Sequence, residues 1–150
     1  MVALDTNVLA YAEGVNGRAM KAAALELLEQ LPEDSALVPI QVLGELLHVL
    51  VRKAGRSRAS ARQAVLSWGD AYPLIETSPD VLAAALDLAV DHRLGTWDAV
   101  ILSAAADARC RLLLSEDLQQ GFTWGGVTVV NPFAKSRHAL LDAMMRRARR

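Results

Sequence analysis

Apolar residues along this chain fall into two spacings. Short continuous runs, Val2-Ala3-Leu4, the Ala-Leu-Val within Ser35 to Pro39, Tyr72 to Thr77, Cys110 to Ser115 and Val127 to Val130, have the length of buried strands. Between them, apolar positions recur every three or four residues, the period of a helix with one face on a core. That period predicts a helix from Arg18 to Leu31, with Ala22, Leu25, Leu28 and Leu31 facing inward. It predicts a second from Ile40 to Ala54, with Ile40, Leu43, Leu47, Leu50 and Val51 at core positions, and Gly55 placed to end it. Arg56 to Gly69 reads as a third helix. Ser78-Pro79-Asp80 is a cap, a proline in the first helical position and an acid in the first turn, so a helix runs from there to His92. Gly95 then stops it, and Thr96 caps the helix from Trp97 to Arg109. After the last strand, Asn131-Pro132 opens a terminal helix carrying Leu140, Leu141, Met144 and Met145.

Strand and helix alternate, which predicts an α/β fold: a three-layer α/β/α sandwich around a mainly parallel sheet. The 150 residues suffice for one domain with a substantial core. No repeat or low-complexity linker divides the chain.

Composition narrows the function classes. A net charge of −1 exerts no global pull on nucleic acid or anionic membrane. Cys110 is the single cysteine, so there is no intrachain disulfide and a cysteine-based zinc site is not expected. No run approaches the roughly 18 apolar residues of a membrane span. Met1 leads directly into a strand without a basic n-region, which predicts a cytoplasmic protein without a secretory signal.

Four acids stand in apolar or helix-start surroundings: Asp5, Glu45, Asp98 and Asp117. Each alone has a structural role open to it. Asp5 suits a helix cap, Asp98 the first turn of a helix, Asp117 a turn after a strand, and Glu45 the polar stripe Gln41, Glu45, His48, Arg52. Together they suggest more. Asp5, Asp98 and Asp117 fall at strand ends or helix starts, and a parallel sheet brings such positions to one edge, where open α/β sheets hold their ligands. Carboxylates gathered there repel unless a hard divalent cation balances them, and Mg²⁺ prefers oxygen donors. Such a site suits phosphoryl chemistry.

Leu4-Asp5-Thr6-Asn7-Val8-Leu9, the acid within Val42-Leu43-Gly44-Glu45-Leu46, Thr96-Trp97-Asp98-Ala99 and Leu114-Ser115-Glu116-Asp117 resemble, in order and spacing, the four signatures of PIN-domain nucleases, the bacterial VapC-type toxins in particular. The resemblance spans about residues 2 to 133, closing at Val129-Val130-Asn131-Pro132-Phe133. It implies a PIN-like nuclease domain at 1–133, followed by a helical extension with a basic tail at 134–150. It also implies an endoribonuclease dependent on Mg²⁺ or Mn²⁺, leaving 3′-hydroxyl and 5′-phosphate ends, with Asp5, Glu45, Asp98 and Asp117 as catalytic and metal-binding residues. The resemblance makes Thr6, Asn7, Ser115 and Glu116 their expected polar supporters. Glu116 departs from the usual pattern by placing a second acid beside Asp117, which leaves two acids open as the fourth ligand; Asp117 is favoured because it better matches the Ser-x-Asp spacing. The implied partners are RNA, a small antitoxin and a second copy of the chain, with no membrane.

Arg52, Lys53, Arg56, Arg58 and Arg62 form an acid-free basic run after the Glu45 helix, the best candidate for phosphate contacts. Arg146, Arg147, Arg149 and Arg150 make a second, read as a solvated tail. Trp68, Trp97 and Trp124 read as core or interface anchors, and the three histidines as structural or surface residues. The competing reading is an RNA-binding PIN-like module without catalysis. A haloacid-dehalogenase type phosphatase fits poorly, because Asn7 stands where that chemistry requires a second aspartate.

Overall fold

The computed structural model describes residues 1–149. In chain order its elements are β1 (Val2–Leu4), α1 (Thr6–Ala12), α2 (Arg18–Gln30), β2 (Ala36–Pro39), α3 (Ile40–Arg52), α4 (Arg58–Ala71), β3 (Leu74–Ile75), α5 (Pro79–His92), α6 (Thr96–Asp107), β4 (Leu112–Leu114), β5 (Thr123–Trp124), β6 (Val127–Val130) and α7 (Ala139–Ala148). The strands form one sheet in the order β3-β2-β1-β4-β6-β5. All neighbours are parallel except the edge hairpin of β5 with β6. Gly125 and Gly126 make that hairpin's two-residue turn with φ of +57° and +81°, a left-handed pair that glycine adopts without strain.

Every residue of β1 and β4 is buried. Successive strand side chains point to opposite faces, so both faces of the sheet are covered and the expected three layers follow. α6 fills the interior on its own account. Its run from Ala99 to Ala105 is buried on every side, the small Ala99, Ala104 and Ala105 allowing close approach. α7 sinks Leu141 and Met145 into the same core, a contribution of about 1.5–3 kcal/mol for each fully buried side chain. Among the described residues, no helix is long and apolar enough to cross a membrane.

The order of elements agrees with the sequence pattern, but several phases and boundaries do not. On α2 the inward residues are Ala24, Leu27 and, just past its end, Leu31, while Ala22 and Leu25 face outward. On α3 they are Val42, Leu46 and Leu50, with Ile40 and Leu47 exposed. Both segments carry apolar residues on more than one face, so spacing leaves their rotation open until tertiary contacts choose it. α5 ends at Arg93, itself left-handed at φ +54°. Gly95 becomes the N-cap of α6, and Thr96 is its first helical residue rather than its cap. α4 starts at Arg58 because Ser57 accepts a bond from the Ser60 N–H at 3.1 Å. The C-terminal helix begins only at Ala139, where His138 Nδ1 accepts from the Leu140 N–H at 3.2 Å. Asn131 instead folds back in a turn, its Oδ1 accepting from the Phe133 N–H at 2.9 Å.

Candidate active site

The sheet order reverses direction about β1: the chain passes from β1 to β2 on one side, then returns to β4 on the other. In an open parallel sheet, that reversal leaves a crevice at the strands' C-terminal ends. Register decides what stands there. Leu4 pairs with Leu114, so the residues that follow them, Asp5 and Ser115, meet side by side. The Asp5 N–H is bonded to the Leu114 carbonyl at 3.0 Å, and the Ser115 hydroxyl donates to Asp5 Oδ2 at 2.6 Å. The other oxygen, Oδ1, accepts from the Thr6 N–H at 2.7 Å, so Asp5 also caps α1.

Asp5 is only 4% exposed. Burial pushes its carboxyl up to about 6, and the nearby charges of Glu45 and Asp98 push the same way, against the Ser115 and Thr6 hydrogen bonds. Asp98, half-buried in the first turn of α6, is raised by burial and then by the charges of Glu45 and Asp117. The acids from four separate segments are thus electrically coupled. Among the described residues, none of them forms an ion pair; the ion pairs there are Arg56–Glu13 and Arg146–Asp142.

Neutral side chains tie the acids together. Thr6 Oγ1 donates to Glu45 Oε2 at 2.6 Å, joining α1 to α3. Asn7, 7% exposed, donates from Nδ2 to Asp117 Oδ2 at 3.2 Å and lies 3.5 Å from both Asp5 Oδ2 and Ser115 Oγ. Its Oδ1 accepts from the Glu116 N–H at 3.3 Å. Ser115 Oγ accepts from the N–H groups of Asp117 and Leu118 at 3.3 and 3.4 Å, which wraps the loop after β4 around the buried hydroxyl. Glu116 is drawn aside: the Tyr11 hydroxyl donates to its Oε1 at 3.2 Å, and the Tyr11 ring rests edge-on against Phe133. Asp117, not Glu116, lines the cleft.

That cleft has a volume of about 590 Å³. Thr6, Asn7, Ala10 and Tyr11 supply its α1 wall, and Gln41, Gly44, Glu45, His48 and Val49 its α3 wall. Three members of the polar stripe on α3, Gln41, Glu45 and His48, therefore face the cleft. Of the basic run, Lys53 lines it. Arg56 is engaged elsewhere, donating to Glu13 Oε2 at 2.9 Å and to the Glu13 carbonyl at 2.7 Å. Glu13 Oε1 also accepts from Trp68 Nε1 at 2.7 Å, so this cluster joins α1, the loop after α3 and α4. Arg52, Arg58 and Arg62 are exposed beside the cleft's helices without lining it. Arg147 borders a different cavity, with Met1, Ser35 and Arg111, which precede β1, β2 and β4. It thus lies at the opposite end of the sheet from the acids. Arg146 pairs with Asp142 at 2.6 Å, and Arg150 lies outside the described residues.

Sequence reasoning missed two parts of this constellation. Tyr11 stands four residues after Asn7, hence on the same face of α1, a spacing that offered a signal. Trp97, read as a core or interface anchor, is not in the core: it is 56% exposed on the cleft wall. Its place beside Asp98 was the available clue.

The fold and site define an α/β protein whose acids, without an ion-pair partner among the described residues, gather at the switch point of a parallel sheet. The sequence matches the PIN domain family over residues 2–121, and the chain belongs to that family, whose members are nucleases. Among solved structures, the fold is similar to Mycobacterium tuberculosis VapC20, a sarcin-ricin loop cleaving toxin, with a TM-score of 0.67 and 18% identity over 78% of this chain and 90% of that one. It is similar to a toxin–antitoxin complex from Klebsiella pneumoniae, with a TM-score of 0.65 and 23% identity over 89% and 98% of the two chains. FitAcB from Neisseria gonorrhoeae gives a TM-score of 0.62 and 17% identity over 89% and 99%. No curated protein sequence matches the chain.

Proposed function

We propose that this chain is a metal-dependent endoribonuclease and the toxin of a toxin–antitoxin pair. The observation that carries the reading is the gathering of Asp5, Glu45, Asp98 and Asp117 from four segments: the charges of Glu45 and Asp98 bear on Asp5, those of Glu45 and Asp117 bear on Asp98, and among the described residues none of the four has an ion-pair partner. An all-oxygen donor set with unbalanced negative charge fits Mg²⁺ or Mn²⁺. Among the described residues, no three Asp, Glu, His or Cys side chains close into a ready-made metal cage.

Asp5, Asp98 and Asp117 would hold the ion, and Glu45 would hold it or orient water. When bound, such a cation supplies Lewis acidity toward the phosphodiester and makes water a stronger nucleophile. The chain's own residues set the geometry. Ser115 and the Thr6 N–H fix both oxygens of Asp5, Thr6 Oγ1 holds Glu45, and Asn7 positions Asp117. In the hydrolysis, water oxygen bonds to phosphorus, the bond to the 3′ oxygen breaks, and that oxygen takes a proton, leaving 3′-hydroxyl and 5′-phosphate ends. Lys53 is the cleft residue suited to a neighbouring phosphate.

RNA as substrate is supported by the similarity to a toxin that cleaves the sarcin-ricin loop, and an antitoxin partner by neighbours solved as toxin–antitoxin complexes. A homodimer in the cytoplasm completes the reading. Purified protein incubated with RNA in Mg²⁺ or Mn²⁺ tests it. Internal cleavage that EDTA abolishes supports the reading; RNA binding without cleavage in either ion favours a non-catalytic module instead.

A further inference from the structure

Trp97 has no part in the assigned chemistry, yet it is alone among the described aromatic side chains in being more than half exposed. The contrast with Trp68 is informative: that ring lies stacked on Tyr72 at 6.0 Å and gives its N–H to Glu13. Trp97 lines the acid cleft together with Glu45, Asp117 and Lys53. It adjoins Asp98, so the two Cα atoms are about 3.8 Å apart and the indole stands within reach of any nucleotide held at the acids. Behind it, α6 is buried from Ala99 to Ala105, which fixes the helix start that carries the ring. A large apolar face presented to water from a fixed helix start, beside a polar cleft, is a contact surface.

We propose that Trp97 is a stacking platform for an unpaired base next to the scissile phosphate. This rests on the nuclease reading and names a residue that holds its substrate. A base in a duplex is paired and stacked on its neighbours, so only an unpaired one can lie flat on an indole. The cleft's order of parts supports a polynucleotide: acids for the reacting phosphate, an aromatic face beside them, and the Lys53 cation along α3. Stacking on any π-face is tolerant of sequence, so Trp97 sets binding strength more than base identity.

The test uses Trp97→Ala and Trp97→Phe. Binding of a labelled single-stranded RNA, and of a duplex of the same sequence, is measured in the Asp5→Asn background to prevent cleavage. Steady-state cleavage of the single strand is measured in the otherwise unsubstituted chain. The proposal expects Trp97→Ala to weaken single-strand binding by about tenfold or more. It expects the loss to appear in KM with kcat preserved, Trp97→Phe to recover most of it, and duplex binding to be unaltered. Unchanged single-strand affinity and KM in Trp97→Ala would overturn it and leave the ring as a protein-contact anchor. An equal loss on duplex and single strand also counts against it. If the parent chain binds single-stranded RNA but cleaves none, the nuclease reading fails while the binding comparison still decides the platform; absence of RNA binding overturns both.

Discussion

Ser115 donates its hydroxyl proton to Oδ2 of Asp5 across 2.6 Å, and both residues stand one position beyond the paired Leu114 and Leu4. Strand register thus supplies Asp5 with its strongest stabilising partner after burial has raised its proton affinity. Ser115→Ala removes that bond and lets the Asp5 carboxyl rise further above about 6. The expected outcome is a cleavage pH profile displaced to higher pH, because the ionised carboxylate is the form that binds a cation. The same change costs about 1–3 kcal/mol of stability, since it leaves a buried acceptor short of a partner. A pH–rate profile and a urea melt check the two parts separately.

Asp5 also makes the metal-free protein's stability depend on pH. Its ordinary value is 3.8 and its folded value about 6, so between these the folded chain holds a proton that the unfolded chain has released. The stabilisation is complete below about 3.8 and is lost as pH rises through about 6, in total about 3 kcal/mol for a shift of this size. Urea unfolding in EDTA should therefore show the component falling across that window, and Asp5→Asn should remove it and be more stable than the parent near pH 8. Added Mg²⁺ should stabilise the parent more as pH rises, because it competes with the proton.

Lys53 and Arg56 are three residues apart but have separate roles. Lys53 faces the cleft, whereas Arg56 is bound to the carboxylate and carbonyl of Glu13. Lys53→Ala should reduce the slope of log affinity for single-stranded RNA against log salt by about 0.7, the value for one lost phosphate contact. Arg56→Ala should leave that slope unchanged and lower stability by about 1–3 kcal/mol, since Glu13 loses a charged partner while keeping Trp68. Salt titrations of binding and denaturant melts distinguish them.

Much of the fold was legible because local signals agreed with it. Asp5-Thr6-Asn7 after an apolar run marks a strand end and helix start, and Ser78-Pro79-Asp80 marks α5. Helix rotation was less legible: Leu25 and Leu27 are both apolar, and only packing decides that Leu27 is the buried one. Thr96 offered a better cap than Gly95 by side chain, yet Gly95 occupies the cap. The acids could be named as residue types at strand ends and helix starts. Their mutual contacts could not, because the Asp5–Ser115 and Thr6–Glu45 bonds join residues 110 and 39 positions apart through register and helix placement. The basic run shows the same limit, since nothing local to Arg56 announces its pairing with Glu13.

The central claim is that these acids are a hydrolytic metal centre, and the most direct test is the rate of RNA cleavage in Mg²⁺ by Asp5→Asn beside the parent chain. The substitution keeps the size of the side chain and removes its charge, and it turns one of the two oxygens that accept from the Ser115 hydroxyl and the Thr6 N–H into a donor. The account predicts a loss of at least about a hundredfold, beyond the 10–100-fold typical of losing an outer partner of a metal site. Cleavage by Asp5→Asn at the parent rate would contradict it.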